Sequence, residues 1–131
     1  MAGKEFRLPA DVRLMGRSRQ WVRQHAPSGT SPEAVRVLEL LTSEVVTNAV
    51  KYGGCDEIVV RLGSRHGEVE VVVSDANPEP PQVVDPSQRR DGGRGMRLVD
   101  SLARRWGVVR HPHDGKSVWF CVSMSGLLVA G

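Results

Sequence analysis

Cysteine is scarce: Cys55 and Cys121 are the only two in 131 residues. They stand far apart, with no C-x-x-C and no nearby histidine pair, so the converging ligands of a metal site are missing. Two thiols in a chain with no secretory signal fit a reducing cytosol rather than a disulfide scaffold. Long apolar runs are lacking too. The N-terminal "MAGKEFRLP" holds no apolar stretch of signal-peptide length, and the C-terminal "GLLVAG" is too short to cross a bilayer. The expectation is a cytoplasmic protein with no membrane role. Aromatic residues are only 5% of the chain and form no base-stacking cluster, and arginine is scattered rather than gathered into a stripe. The formal charge of +3 is thus weak support for a nucleic-acid partner, and direct nucleic-acid binding is not expected.

What is present suits one globular domain over residues 1–131. A chain this long buries roughly two thirds of its unfolded surface. "EFRLP" reads as a short strand ended by Pro9, and Asp11 can cap a helix running to about Ala26. "PSGTSP" is loop chemistry. Ser31 followed by Pro32 is a strong helix start, an N-cap with proline at the first helical position. That helix should run to Lys51 or Tyr52 and stop at Gly53-Gly54. "EIVVRLG" and "EVEVVVSD" are β-branched runs joined by the hairpin signal "SRHG", the second a central strand. The proline- and glycine-rich "ANPEPPQVVDPSQRRDGGRG" follows; a structureless segment of that length is functional or disordered. "MRLVDSLARRW" reads as a helix, and "GVVRHP" and "KSVWFCVSM" as a closing hairpin. The fold class is α+β: a two-layer α/β sandwich, a mixed, mostly antiparallel sheet with helices on one face.

Three polar positions interrupt apolar contexts. On the long helix, at about 100° per residue, Ala34, Val37, Leu38, Leu41, Val45 and Ala49 form one stripe. Asn48 falls inside it and Glu44 at its margin, whereas Glu39, Ser43 and Thr47 point away toward solvent. A buried amide without a partner costs roughly 1–3 kcal/mol. Either a strand backbone satisfies Asn48 and Glu44 is a solvated rim residue, or the two form a site for a hydrated cation and a reacting hydroxyl. Asp75 ends the valine strand. It is either a turn cap or a buried acceptor selecting a donor such as an exocyclic amino group. "GGRGMRLV" opens into a helix whose N-terminus suits phosphate, although a glycine-rich linker would look the same. It is neither a Walker A loop nor a dinucleotide fingerprint. Together the three describe a nucleotide pocket with a base reader, a cation ligand and a phosphate cradle.

The same motifs, in this order, resemble the ATP-binding domain shared by gyrase, Hsp90 chaperones, histidine kinases and mismatch-repair ATPases, the Bergerat fold. Within it they look like the anti-sigma-factor serine/threonine kinases. "LLTSEVVTNAVKYGG" is similar to the N-box, "VVVSDANPEPP" to the G1 box, "DGGRGMRLVDSLARRWGV" to the G2 box and "GKSVWFCV" to the closing strand, which covers nearly the whole chain. The resemblance implies ATP and Mg²⁺. Glu44 would be the general base and Asn48 the Mg²⁺ ligand. Asp75 would read adenine, Gly93, Arg94, Gly95 and Met96 would line the phosphates, and Ser117 would sit near Asp75 and close the adenine end. Pro78 to Gly92 would form a lid, and Arg89, Arg90 or Arg94 could reach the γ-phosphate. Tyr52 stands at the nucleotide side of the N-box where family members often carry histidine. Asn77 and Pro78 stand where the wider superfamily has glycine. The implied partners are an anti-sigma-factor antagonist protein and a sigma factor, with a homodimer possible. A non-catalytic ATP-binding regulatory module is the alternative function.

Overall fold

A computed structural model describes residues 3–52, 56–75, 90–111 and 115–126. Strand β1 (Lys4–Pro9) leads through a 3₁₀ turn (Val12–Leu14) into α1 (Met15–His25), then α2 (Pro32–Tyr52), β2 (Glu57–Arg65), β3 (Glu68–Asp75), α3 (Arg90–Leu102), β4 (Arg105–His111) and β5 (Gly115–Ser123). The element order is the one expected from sequence. Five strands form one sheet in the order β1-β2-β3-β5-β4, and every ladder is antiparallel. The crossover through α3 sets β4 in the direction of β3, but β5 pairs between them, so no parallel neighbours arise among the described strands.

Local chemistry explains the boundaries. Asp11 caps the 3₁₀ turn by accepting from the Arg13 N–H at 2.9 Å. Ser31 Oγ accepts from the Ala34 N–H at 3.0 Å at the start of α2. The hairpin between β2 and β3 turns on His66 and Gly67, both at positive φ (52° and 77°), the two-residue geometry that matches strand twist. Two helix boundaries differ from expectation. α3 starts at Arg90, so the glycine stretch 92–95 is helical; glycine costs about 1 kcal/mol in a helix relative to alanine but does not forbid one. α3 ends at Leu102, not Trp106, because the Arg104 N–H donates to the Cys121 carbonyl of β5 at 2.8 Å and draws the chain into the sheet.

The core lies between one face of the sheet and the helices. Val69, Val71 and Val73 of β3 and Phe120 and Val122 of β5 meet Leu38, Leu41, Val45, Val46 and Ala49 of α2, all nearly inaccessible. Across the sheet the helices lie in the order α1, α2, α3, with α1 against β1 and β2 and α3 against β4. Their packing corrects the expectation that Glu39 and Thr47 face water. Glu39 pairs with Arg23 of α1 at 3.0 Å, and the Thr47 hydroxyl lies 3.2 Å from Met15 Sδ. For the same reason Val46, outside the expected stripe, is fully buried. Phe6 stacks on Trp21 with ring centroids 5.5 Å apart, fastening β1 to α1. The Trp106 indole N–H donates to Asp100 at 2.8 Å and ties β4 back to α3.

Candidate functional site

Topology brings three separated stretches to one end of the sheet. α2 ends at Tyr52, and β2 begins five residues later at Glu57. The C-terminal half of α2 therefore lies above the sheet end where Ile58 pairs with Asp75. β4 begins at Arg105, opposite Cys121 and near the other end, where Glu68 pairs with Ser123. α3 runs into β4, so its C-terminus lies at that far end and its N-terminus is directed toward the Asp75 end.

Asp75 occupies the last position of the face-alternating series Val69, Val71, Val73, Asp75, and it is 5% exposed. An acid has thus replaced a valine in the helix-covered layer. Its Oδ1 accepts from the Lys116 backbone N–H at 3.2 Å. A carboxylate offers about four acceptor sites, so the group keeps capacity for a further donor.

Glu44 and Asn48 are both half-buried on α2. Asn48 is nine residues from Glu39, about 180° around the helix at ~100° per residue. Since Glu39 faces α1, Asn48 lies on the opposite flank, toward α3. Glu44 is one turn earlier on that flank. Among the described residues neither side chain has a hydrogen-bond partner, so no described strand backbone satisfies Asn48. Met96 of α3 packs half-buried against the core. Gly93, Arg94 and Gly95 belong to the first turns of α3, though their side chains, like that of Tyr52, lie outside the described residues. Asn77, Pro78 and the rest of the lid through Arg89 also lie outside them. With α3 starting at Arg90, its free backbone N–H groups fall around residues 90–92; those of Gly95 and Met96 are within the helix ladder.

Ser117 adjoins Asp75 along the ladder, paired with Ser74, but its side chain takes the opposite face of the sheet. Val118, Phe120 and Val122 face the core, so the period of two sends Ser117, Trp119 and Cys121 to the other face, which no described helix covers and which is called the uncovered face in that sense. There the Ser117 hydroxyl meets Ser74 Oγ at 2.7 Å and His111 Nε2 at 3.0 Å. The residue of β5 that touches Asp75 is Lys116, through its backbone. The apolar alternation of "VWFCV" carried that information, and it would have placed Ser117 on the far face. Nothing in the spacing singled out Ser74 or His111.

The uncovered face holds a shallow groove of about 650 Å³ lined in part by Val72, Val109, Trp119 and Cys121. The Trp119 ring lies over Gly107 of β4, and a Cβ there would come within 2.8 Å of the indole nitrogen. Burial and the neighbouring Glu70 and Glu68 carboxylates push the Cys121 thiol above its usual range, which disfavours a reactive thiolate. Among the described residues no cluster of three histidine, cysteine or acidic side chains could hold a metal ion, and no helix is long and apolar enough to cross a membrane. An Mg²⁺ held by one amide oxygen and by phosphates needs no such cluster, so the donor set at Asn48 fits that ion.

The family model described as "Histidine kinase-like ATPase domain" matches residues 8–122. The chain belongs to this family. Among solved structures, it is similar to the histidine kinase domain of the blue-light activated histidine kinase from Erythrobacter litoralis EL346. The TM-score is 0.53 at 22% identity, with 89% of this chain and 62% of that chain covered; this likeness supports the fold. Among curated proteins none matches.

Proposed function

We propose that the protein binds ATP with Mg²⁺ at the Asp75 end of the sheet and transfers the γ-phosphoryl group to a serine or threonine of a small antagonist protein. In the same reading it controls a sigma factor by binding it. The observation that supports the nucleotide site is the buried Asp75 carboxylate, which among the described residues accepts one backbone N–H and ends the core-facing valine series at the end of the sheet toward which the N-terminus of α3 is directed. The kinase reading rests on the Glu44–Asn48 pair, on the family, and on the motif resemblance to anti-sigma-factor kinases.

The residues divide the work. Asp75 accepts from the exocyclic amino group of adenine, a donor that guanine does not present at that position. Asn48 would hold Mg²⁺ through its amide oxygen, and the ion would supply charge neutralisation on the phosphates. The positive end of α3 faces the same region and favours anionic oxygens. Glu44, one turn from Asn48, takes the proton of the attacking hydroxyl. The hydroxyl oxygen forms the new bond to the γ-phosphorus as the bond to the β-phosphate bridging oxygen breaks, and ADP leaves. Phosphoryl transfer is mostly positioning and charge neutralisation, so this small set of side chains suffices.

The test is an incubation of pure protein with γ-labelled ATP, Mg²⁺ and a candidate antagonist protein. The expected result is label on serine or threonine, lost with Glu44→Ala while ATP binding survives. Binding without transfer in the wild type would make the protein a nucleotide-switched regulatory module. Loss of ATP binding in Glu44→Ala would give Glu44 a structural role.

A further inference from the structure

The uncovered face carries a hydrogen-bonded chain directly beneath the proposed base reader. β4, β5 and β3 contribute one side chain each: His111 Nε2 lies 3.0 Å from Ser117 Oγ, and Ser117 Oγ lies 2.7 Å from Ser74 Oγ. Ser117 is 9% exposed, so its hydroxyl depends on these partners rather than on water. Ser74 and Ser117 are the last register pair of the β3–β5 ladder. Each adjoins a member of the contact on the other face: Ser74 precedes Asp75, and Lys116, whose N–H reaches the Asp75 carboxylate at 3.2 Å, precedes Ser117.

We propose that Ser74, Ser117 and His111 are positioning residues for nucleotide selection: by clamping the last rung of the β3–β5 ladder, they hold the Lys116 N–H against Asp75 and so aim the carboxylate at the base. This rests on the reading of Asp75 as the base acceptor. The β3–β5 ladder stops at Ser74 and Ser117. Beyond it Asp75 is held in register by Ile58 of β2 and Lys116 by Arg110 of β4, so the side-chain chain is a tie between the two halves of the sheet at the rung next to their contact. The chain can be satisfied with either histidine tautomer. With a proton on Nε2, His111 donates to Ser117, which donates to Ser74. Without one, Ser74 donates to Ser117, which donates to Nε2. Three strands thereby share one restraint.

Calorimetric titration with Mg-ATP and Mg-GTP tests this on wild type, Ser117→Ala, Ser117→Thr, His111→Ala, Asp75→Asn and the control Ser123→Ala. Ser123 bonds Ser125 at 2.8 Å at the opposite end of β5, so its variant loses a similar hydroxyl pair away from the site. Ser117→Ala should weaken ATP by about tenfold and His111→Ala by about threefold, the range of one ordinary hydrogen bond. The preference for ATP over GTP should shrink with them. Ser117→Thr, which keeps the hydroxyl on a strand-favouring residue, should restore both, and Ser123→Ala should match wild type. The Lys116 amide resonance should shift in Ser117→Ala even without nucleotide. Wild-type ATP affinity, ATP/GTP preference and Lys116 resonance in Ser117→Ala, with binding lost in Asp75→Asn, would overturn the inference and leave the nucleotide site standing. Equal losses in Ser123→Ala would reduce the effect to general stability and also overturn it. No ATP binding by wild type would remove the site and the inference together.

Discussion

The two faces of the sheet are built from the same strands and do different work. On the covered face, valines from β2 and β3 and Phe120 from β5 sit against α2, and the series ends in one buried acid, Asp75. On the uncovered face the charges are largely paired with each other. Arg7 bridges Glu5 and Glu57, Arg61 meets Glu5, and Arg104 and Arg105 meet Glu68. Exposed pairs like these contribute about 0–1 kcal/mol each, so stability resides on the covered side. The contrast teaches that the polar position to examine is the one without local compensation. Among the described residues Asp75 stands in the apolar layer with one backbone donor, whereas each uncovered carboxylate above has its arginine.

Adjacent residues of β5 give the sharpest way to break this contrast. Phe120 is fully buried on the covered side, and Trp119 is half-buried on the other. Phe120→Ala should lower unfolding free energy by about 3–5 kcal/mol, and Trp119→Ala by about 1–2 kcal/mol, in line with its partial burial. Urea denaturation of both checks it, and equal losses would mean the uncovered face is packed against something in solution. Next in size, Glu44→Gln should reduce phosphoryl transfer by about a hundredfold, the low end of a lost general base. ATP affinity should stay within about threefold, because the group acts on the substrate hydroxyl rather than on the nucleotide. Single-turnover assay beside calorimetry separates the two. Ser31→Ala removes the cap at the start of α2 and should cost about 1 kcal/mol, read as a lowered denaturation midpoint with an unchanged slope.

The smallest effect is a pH dependence at the entry to α1. Hydrogen bonds from the Arg13 side chain, and then from its backbone N–H, hold the Asp11 carboxyl down at about 2. A carboxylate whose folded pKa is depressed contributes stability above its unfolded value, and that contribution is lost as pH falls through the folded one. Relative to Asp11→Asn, the wild-type advantage should be constant at neutral pH and fade between about pH 4 and pH 2. Solvent screens this exposed pair, so the difference should be near the limit of thermal-denaturation measurements.

Much of this arrangement was legible in the sequence where local chemistry decides it. The Ser31–Pro32 start, the Asp11 cap and the element order all follow from capping and period. Asn48, expected inside the apolar stripe of α2, is instead half-buried on the flank away from α1. What was not legible depends on neighbours distant in the chain. Glu39 and Thr47 read as solvent-facing on an isolated helix, and only the packing of α1 removes them from water. The early start of α3 ran against the propensity of its glycines, and its end at Leu102 is set by a hydrogen bond to β5. The placement of Ser117 was within reach, since alternation along β5 fixes its face. The contact to Asp75 comes from the Lys116 backbone, which carries no side-chain signature.

The claim underlying the whole account is that Asp75 is the base reader of a nucleotide pocket. Calorimetric titration with ATP and Mg²⁺ on wild type and Asp75→Asn tests it most directly. Saturable one-site binding is expected in the wild type and at least about tenfold weaker binding in the variant, from the loss of a charged acceptor. Equal affinity in the two proteins, or no binding by the wild type, would contradict it.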